Sequence, residues 1–169
     1  MASHEGKCIR FAEEEVRAMG RDTMGVRSMK LDEGDYVVDM AIARNGVEVL
    51  TVSENGYGKR SDLVEYRLQS RAGKGIKAGT FNEKTGQLVN LKLINPDNDI
   101  MLIADNGIVI RVRAKEISKI GRDTQGVRIM KFKGDAKVVC VSESPASEDV
   151  DGGEGATDGG DGGEAPAEE

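Results

Sequence analysis

The chain has 169 residues, of which 38% are hydrophobic and 32% charged, a composition typical of a soluble globular body with a modest core. No apolar run approaches the roughly 18 residues that a membrane helix needs, and the first residues lack the pattern of a signal peptide, so we expect a cytoplasmic protein. A metal site is not indicated, because His4 is the single histidine and the two cysteines lie far apart. We expect Cys8 and Cys140 to be small buried residues in strands.

Charge divides the chain into two parts. The net charge is −6, yet residues 143–169 hold ten acidic residues and no Lys or Arg. The rest of that segment is mostly Gly, Ala, Ser and Pro, so we predict a disordered acidic tail. Residues 1–142 keep 24 basic against 20 acidic residues, and a mildly basic body favours a polyanionic partner. We expect the tail to compete with that partner for the body.

The first elements along the chain are a turn followed by basic residues and then a glycine-rich segment. The turn spans residues 5–10, and the glycine-rich segment runs from Gly20 to Lys30. Between them, Ala12–Met19 is helix-like, but its counterpart at 114–120 is richer in β-branched residues, so we treat it as a connector. A strand is predicted at Val37–Ile42, before a turn at residues 44–46.

Each of these elements returns after about 50 residues. Gly20–Lys30 and Gly121–Lys131 are identical at nine of eleven positions, and a weaker copy spans Gln69–Lys77. Asn106-Gly107 lies between two apolar runs and predicts a β-hairpin with a type I′ turn. The other predicted strands are Val47–Val52, Leu88–Ile94, Ile100–Ala104, 108–112 and Lys137–Val141. About four strands per unit predict an all-β fold of propeller-like blades, with about two and a half blades in residues 1–142.

Basic residues recur at equivalent positions of the units. In a radial array such positions share one rim, and a curved basic stripe suits the closely spaced phosphates of a bent duplex. The predicted DNA-binding residues are Arg10, Arg21, Arg27, Lys59, Arg60, Arg67, Arg71, Lys74, Arg111, Arg113, Arg122 and Arg128. We expect Lys59, Arg60, Arg71 and Lys74 to be exposed, because they lie at turns. The alternative is that these residues only solvate a face.

Four glycines belong to the repeated motif. Gly25, Gly73, Gly75 and Gly126 are expected to allow positive φ angles and a close approach of the backbone to phosphates. The alternative is that they only make turns. No aromatic residues interleave with the charges, which favours contacts with a duplex over single-strand stacking.

The segments Asn55–Arg60, 65–67 and Gly121–Arg128 resemble the C-terminal domain of the DNA gyrase A subunit. The resemblance covers residues 5–142 and implies a β-pinwheel, a propeller relative whose blades exchange strands and whose basic rim wraps DNA. It implies no catalytic residue and no cofactor in this chain. Its implied partners are duplex DNA, the gyrase B subunit, which handles ATP, and the remainder of the A subunit, together forming an ATP-dependent type II topoisomerase.

Departures from the family pattern suggest the last part of such a gyrase chain, either truncated or a fragment. Gln69–Gly75 keeps five of the seven positions of the family box Gln-Arg-Arg-Gly-Gly-Lys-Gly, as later blades do. No tyrosine can be assigned the DNA-cleaving role, because all three lie within blade sequence. Two alternatives remain: the corresponding C-terminal domain of topoisomerase IV, and a propeller-like protein scaffold. A stand-alone enzyme is disfavoured, since 73–75 lacks the spacing of a phosphate loop.

Overall fold

A computed structural model describes residues 1–132 and 134–146. The described part of the chain contains eleven strands, and three single 3-10 turns at Glu13–Glu15, Leu63–Glu65 and Ala114–Glu116. The strands are β1 (Ala2–Ser3), β2 (Lys7–Cys8), β3 (Val37–Asp39), β4 (Glu48–Ser53), β5 (Tyr57–Asp62), β6 (Ile76–Lys77), β7 (Leu88–Ile94), β8 (Asp99–Ala104), β9 (Val109–Arg113), β10 (Val127–Arg128) and β11 (Val138–Ser144).

The helix-like stretch Ala12–Met19 forms only one turn of 3-10 helix. Val16 ends it with an extended backbone, φ −103° and ψ 103°. The same turn occurs in all three repeats, and in the later two the chain then runs beside the preceding sheet, where Leu68 bridges Arg10 and Lys119 bridges Arg60. A longer helix at these positions would prevent that extended pairing.

The strands form three antiparallel sheets, one for each repeat. Their orders are β3-β1-β2-β6, β7-β4-β5-β10 and β11-β8-β9. The last strand of each four-stranded sheet comes from the next repeat, because β6 follows β5 in the chain and β10 follows β9. The predicted all-β fold of propeller-like blades is confirmed, with three sheets where about two and a half blades were expected. Within the described residues, the third sheet has no donated strand beside β9.

The sheets have an inner and an outer edge. The strand β7 contacts both β3 and β11 of the neighbouring sheets, so these three strands lie on the inside of the array. The donated strands β6 and β10 lie at the opposite edge. The core between the second and third sheets includes Leu50, Val52, Ile100 and Leu102, all of them fully buried. Each such side chain stabilises the fold by about 1.5–3 kcal/mol.

The hairpins use a turn other than the predicted type I′. Gly6, Gly56 and Gly107 have φ angles of +82°, +75° and +83°, but the residues before them do not have positive φ. Each glycine N–H donates to the carbonyl three residues earlier, at 2.9–3.0 Å. This is a type I turn closed by a left-handed glycine, which makes a three-residue loop.

Three further expectations concern the ends and the cysteines. Cys8 is buried as predicted, and burial raises the pKa of its thiol to about 11, whereas Cys140 is exposed on the outward face of β11. The strand β11 continues to Ser144, two residues past the predicted boundary, and the Glu143 carboxylate accepts hydrogen bonds from Asn95 N at 2.8 Å and Asn98 Nδ2 at 3.0 Å. The predicted tail beyond residue 146 lies outside the described residues. No helix in the described ranges is long and apolar enough to cross a membrane.

Candidate nucleic-acid interface

Two predicted DNA-binding residues, Lys59 and Arg60, are buried inside the sheet array. Lys59 is 1% exposed and Arg60 is 8% exposed, because β5 lies between β4 and the next repeat, whose residues 115–124 contact both side chains. The expectation that both side chains are exposed at a turn is therefore wrong.

The Lys59 ammonium group holds the glycine motif of the third repeat. Its Nζ donates to the carbonyl oxygens of Gly121 at 3.2 Å and Thr124 at 2.8 Å, and to the carbonyl of Arg122. Burial lowers the pKa of Lys59 to about 8. Through these hydrogen bonds, the Lys59 side chain links the second repeat to the third.

The Arg60 guanidinium is fully engaged between the same two repeats. It donates to Ile117 O at 2.8 Å and Lys115 O at 3.1 Å, and pairs with Glu48 Oε2 at 2.6 Å. The equivalent Arg10 is half-buried and donates to two carbonyls of the second repeat, both at 3.3 Å. This arginine position ties each repeat to the next.

Arg71 and Arg122 are equivalent, half-buried and also engaged in repeat-to-repeat contacts. Their backbone N–H groups donate to Glu15 Oε2 at 2.8 Å and Glu65 Oε2 at 2.6 Å, respectively. The guanidinium of Arg71 donates to the carbonyl of Arg27, and that of Arg122 donates to the carbonyl of Lys77. Each of these arginines therefore fixes the backbone of an exposed cation in the preceding motif, Arg27 or Lys77.

The motif glycines approach protein backbone. Gly75 and Gly126 have φ +75° and +81° as predicted, and a Cβ on them would lie 2.4 Å from Cys8 O and 2.7 Å from Gly58 O. Close packing against the preceding repeat is thus sufficient to require glycine at both positions. Gly25 shares the positive φ, at +74°, but has nothing within 4 Å. Gly73 does not have positive φ; the preceding Ala72 does, at 65°.

A set of exposed cations does recur along the outer edge. Arg27, Lys77 and Arg128 occupy the same position of successive motifs and are all exposed, and we call them the rim cations. Two of them lie on the donated outer strands, Lys77 on β6 and Arg128 on β10. Lys77 was missing from the predicted set, although its register with Arg27 and Arg128 identifies it.

Arg128 is held in place by an aromatic ring. Its guanidinium carbon lies 5.0 Å from the centroid of Tyr57, and its NH2 group donates to the Tyr57 hydroxyl at 2.6 Å. The charge remains exposed on the outer side of the sheet. A fixed, exposed guanidinium suits an anion, because less side-chain entropy is lost on binding.

The remaining predicted cations are exposed near the motif or on β9. This group consists of Arg21, Arg67, Lys74, Arg111 and Arg113. Arg111 pairs with Asp99 at 2.7 Å and donates to Pro145 O at 2.8 Å, so its charge is partly neutralised. Lys30 and Lys131, which were not predicted, are exposed three residues after two of the rim cations.

Comparison with known proteins gives a consistent result. The family model "DNA gyrase C-terminal domain, beta-propeller" matches residues 1–44, 48–95 and 98–141. The DNA gyrase A subunit of Escherichia coli is 43% identical over 152 residues, which are 88% of this chain and 17% of that protein. The DNA gyrase A subunit of Staphylococcus epidermidis is 43% identical over 143 residues, 83% of this chain and 16% of that protein. The chain thus spans about one sixth of these relatives.

Two solved structures share the architecture. A DNA gyrase A C-terminal domain superposes with a TM-score of 0.78 and 30% identity, covering 84% of this chain and 48% of that one. The C-terminal domain of a DNA topoisomerase IV gives a TM-score of 0.80 at 22% identity, covering 86% and 46%, which shows a shared fold alone. With three consecutive matches of the family model, one for each sheet, the chain belongs to the DNA gyrase C-terminal domain family.

Proposed function

We propose that the chain binds duplex DNA along its outer rim and bends it, as a non-catalytic module of the DNA gyrase A subunit. The observation that carries this proposal is the recurrence of the exposed rim cations Arg27, Lys77 and Arg128 on the outer side of successive repeats. A duplex that follows them contacts one repeat after another through its phosphates, and such contacts carry little sequence information.

The proposed rim takes Arg27 and Arg128 from the set that the sequence suggested and adds Lys77. Lys59 and Arg60 are buried and give their hydrogen bonds to the protein, so they support the rim without contacting DNA. Arg71 and Arg122 hold the carbonyls of Arg27 and Lys77 and keep those rim cations at fixed places. Removing a rim cation should weaken DNA binding and leave the fold intact.

The test is the salt dependence of binding to a random-sequence duplex. The triple variant Arg27→Gln, Lys77→Gln and Arg128→Gln loses about three phosphate contacts, so the slope of log K against log[salt] should become shallower by about 2–3. The control triple Arg44→Gln, Lys115→Gln and Lys137→Gln removes the same charge from exposed positions elsewhere, and its slope should stay close to the parent's. Equal slopes for the two triples would contradict the rim.

The larger assembly is part of the same proposal. The relatives are A subunits of DNA gyrase, which favours two protein partners, the gyrase B subunit plus the remainder of the A subunit, with a place on the nucleoid in the cytoplasm. No cofactor is assigned to the chain. A topoisomerase IV module is the alternative that the sequence left open, and the likeness to that domain is one of fold alone. A protein scaffold would show no salt-dependent DNA binding.

A further inference from the structure

The contacts between successive repeats are built to one pattern, which we call the joint. In the first joint, Gln69 N donates to Arg10 O at 2.8 Å and Ala78 N donates to Gly6 O at 2.7 Å. In the second joint, the same two bonds join the later repeats at 2.9 and 2.8 Å, from Ile120 N to Arg60 O and from Ile129 N to Gly56 O.

Strand pairing and a carboxylate complete each joint. Cys8 is opposite Ile76 in the first joint, and Gly58 is opposite Val127 in the second. Glu15 Oε2 and Glu65 Oε2 accept the backbone N–H of the motif arginine in the respective joint. The joint is therefore a repeated interface with a fixed register, and its two halves can be identified in any repeat.

One acceptor half of the joint stays unused, at β9. Ile108 and Val109 are 48% and 49% exposed, whereas their counterparts Tyr57 and Gly58 are buried. Glu116 is the counterpart of Glu15 and Glu65, is exposed, and makes no hydrogen bond or ion pair with any described residue. Within the described residues, the β9 edge has the backbone positions of the joint and no donated strand beside them.

One donor half also stays unused, at residues 19–28. Gly25 has the left-handed φ of the joint glycines, +74°, but nothing within 4 Å of a Cβ. The segment Gly20–Lys30 matches Gly121–Lys131, which fills the second joint, at nine of eleven positions. The chain therefore carries both halves of a third joint, at opposite ends of its three sheets.

We propose that two copies of the 169-residue chain associate head to tail, each laying its segment 19–28 on the β9 edge of the other. The register copied from the two internal joints places Val26 opposite Val109, Met19 N on Arg111 O, and Arg21 N on Glu116. A heterologous contact closes into a ring when its rotation allows. The three sheets cover 48% of a solved gyrase A C-terminal domain, so two copies supply about one complete domain.

The association also extends the rim. In each internal joint the rim cation of one repeat precedes that of the next, as Lys77 precedes Arg128 on β6 and β10. In the third joint, Arg27 of one copy follows Arg128 of the other. The inference goes beyond the proposed DNA binding and does not depend on it, because the joint consists of contacts within and between protein strands.

The test is disulfide trapping in the predicted register, with the full chain. In a Cys140→Ser background, Val26→Cys and Val109→Cys are made as two separate proteins, each with one engineered cysteine. The native Cys8 remains in both; it is buried, and burial raises the pKa of its thiol to about 11. Mixing the two and oxidising should yield a covalent dimer, and neither protein alone should. The control pairs Val26→Cys with Lys115→Cys, six residues from Val109 and thus about 20 Å along an extended chain, and should not cross-link.

Sedimentation of the unmodified chain gives the second readout. We expect a concentration-dependent species of twice the mass of one chain, and Gly25→Val should abolish it by filling the space in which β9 packs. A chain that sediments as a monomer at every concentration, with no cross-linked product, would overturn the proposal. A ladder of longer oligomers would overturn the closed two-copy ring.

Discussion

The strands β5 and β9 occupy the same place in successive repeats, yet one is buried and the other exposed. The strand β5 pairs with β4 and β10, and its first five residues are buried. Among the residues that the structure describes, the strand β9 pairs with β8 alone, and its residues alternate between exposed and half-buried. The side chain of Arg60 is 10% exposed, and that of its counterpart Arg111 is 45% exposed. The next repeat, through its donated strand, decides whether a basic residue is structural or on the surface.

The largest expected difference between these two environments is in stability, when a methyl group is added at the motif glycine of each. Gly126→Ala places a Cβ 2.7 Å from Gly58 O at a φ of +81°, whereas Gly25→Ala has φ +74° and nothing within 4 Å. Left-handed strain costs about 1 kcal/mol in both variants, and overpacking adds about 1–3 kcal/mol in Gly126→Ala alone. Urea unfolding of dilute protein should therefore separate the two variants by about 1–3 kcal/mol. Equal losses of stability in the two variants would mean that the contact between the repeats admits the methyl group at no cost in free energy.

The local elements of the fold could be predicted from sequence, because hairpin and strand signals act over a few residues. The strand Leu88–Ile94 has the predicted bounds, and the predicted hairpin at Asn106-Gly107 connects β8 to β9. The turn type differed because the three-residue loop needs only one left-handed residue. Asn-Gly suits both loops, so sequence alone does not separate them.

The candidate site was predicted less well, and strand exchange is the reason. Lys59 and Arg60 follow a turn in the sequence, but the segment that buries them, residues 115–124 of the next repeat, lies 55 to 65 residues later. Nothing near them signals that contact. The rim position at 27, 77 and 128 was recoverable, since its residues are basic in all three repeats.

A second pair of variants separates buried from rim lysines. Lys59→Met leaves the carbonyls of Gly121 and Thr124 without their donor, which should cost about 2 kcal/mol of stability. Lys77→Met at the exposed rim should change stability by less than about 0.5 kcal/mol. Duplex affinity should follow the opposite order when both folded proteins are titrated at low salt. A loss of DNA affinity in Lys59→Met alone would contradict the rim and place the DNA-binding surface at β5.

The smallest effect is a pH dependence that arises from the buried lysine. Burial lowers the pKa of Lys59 from 10.5 to about 8, so between those values the unfolded chain binds a proton that the folded chain has released. The free energy of unfolding therefore rises with pH across that window, at up to about 1.4 kcal/mol per pH unit from this group, and the gain is lost as the pH falls through about 8. Lys59→Met lacks the group, whereas Cys8 and the other titrating residues are common to both proteins. Urea midpoints measured from pH 8 to 10.5 should thus rise in the parent relative to the variant. Parallel curves would show that the carbonyl oxygens around the Lys59 ammonium group offset its desolvation, and that Lys59 stays charged across this pH range.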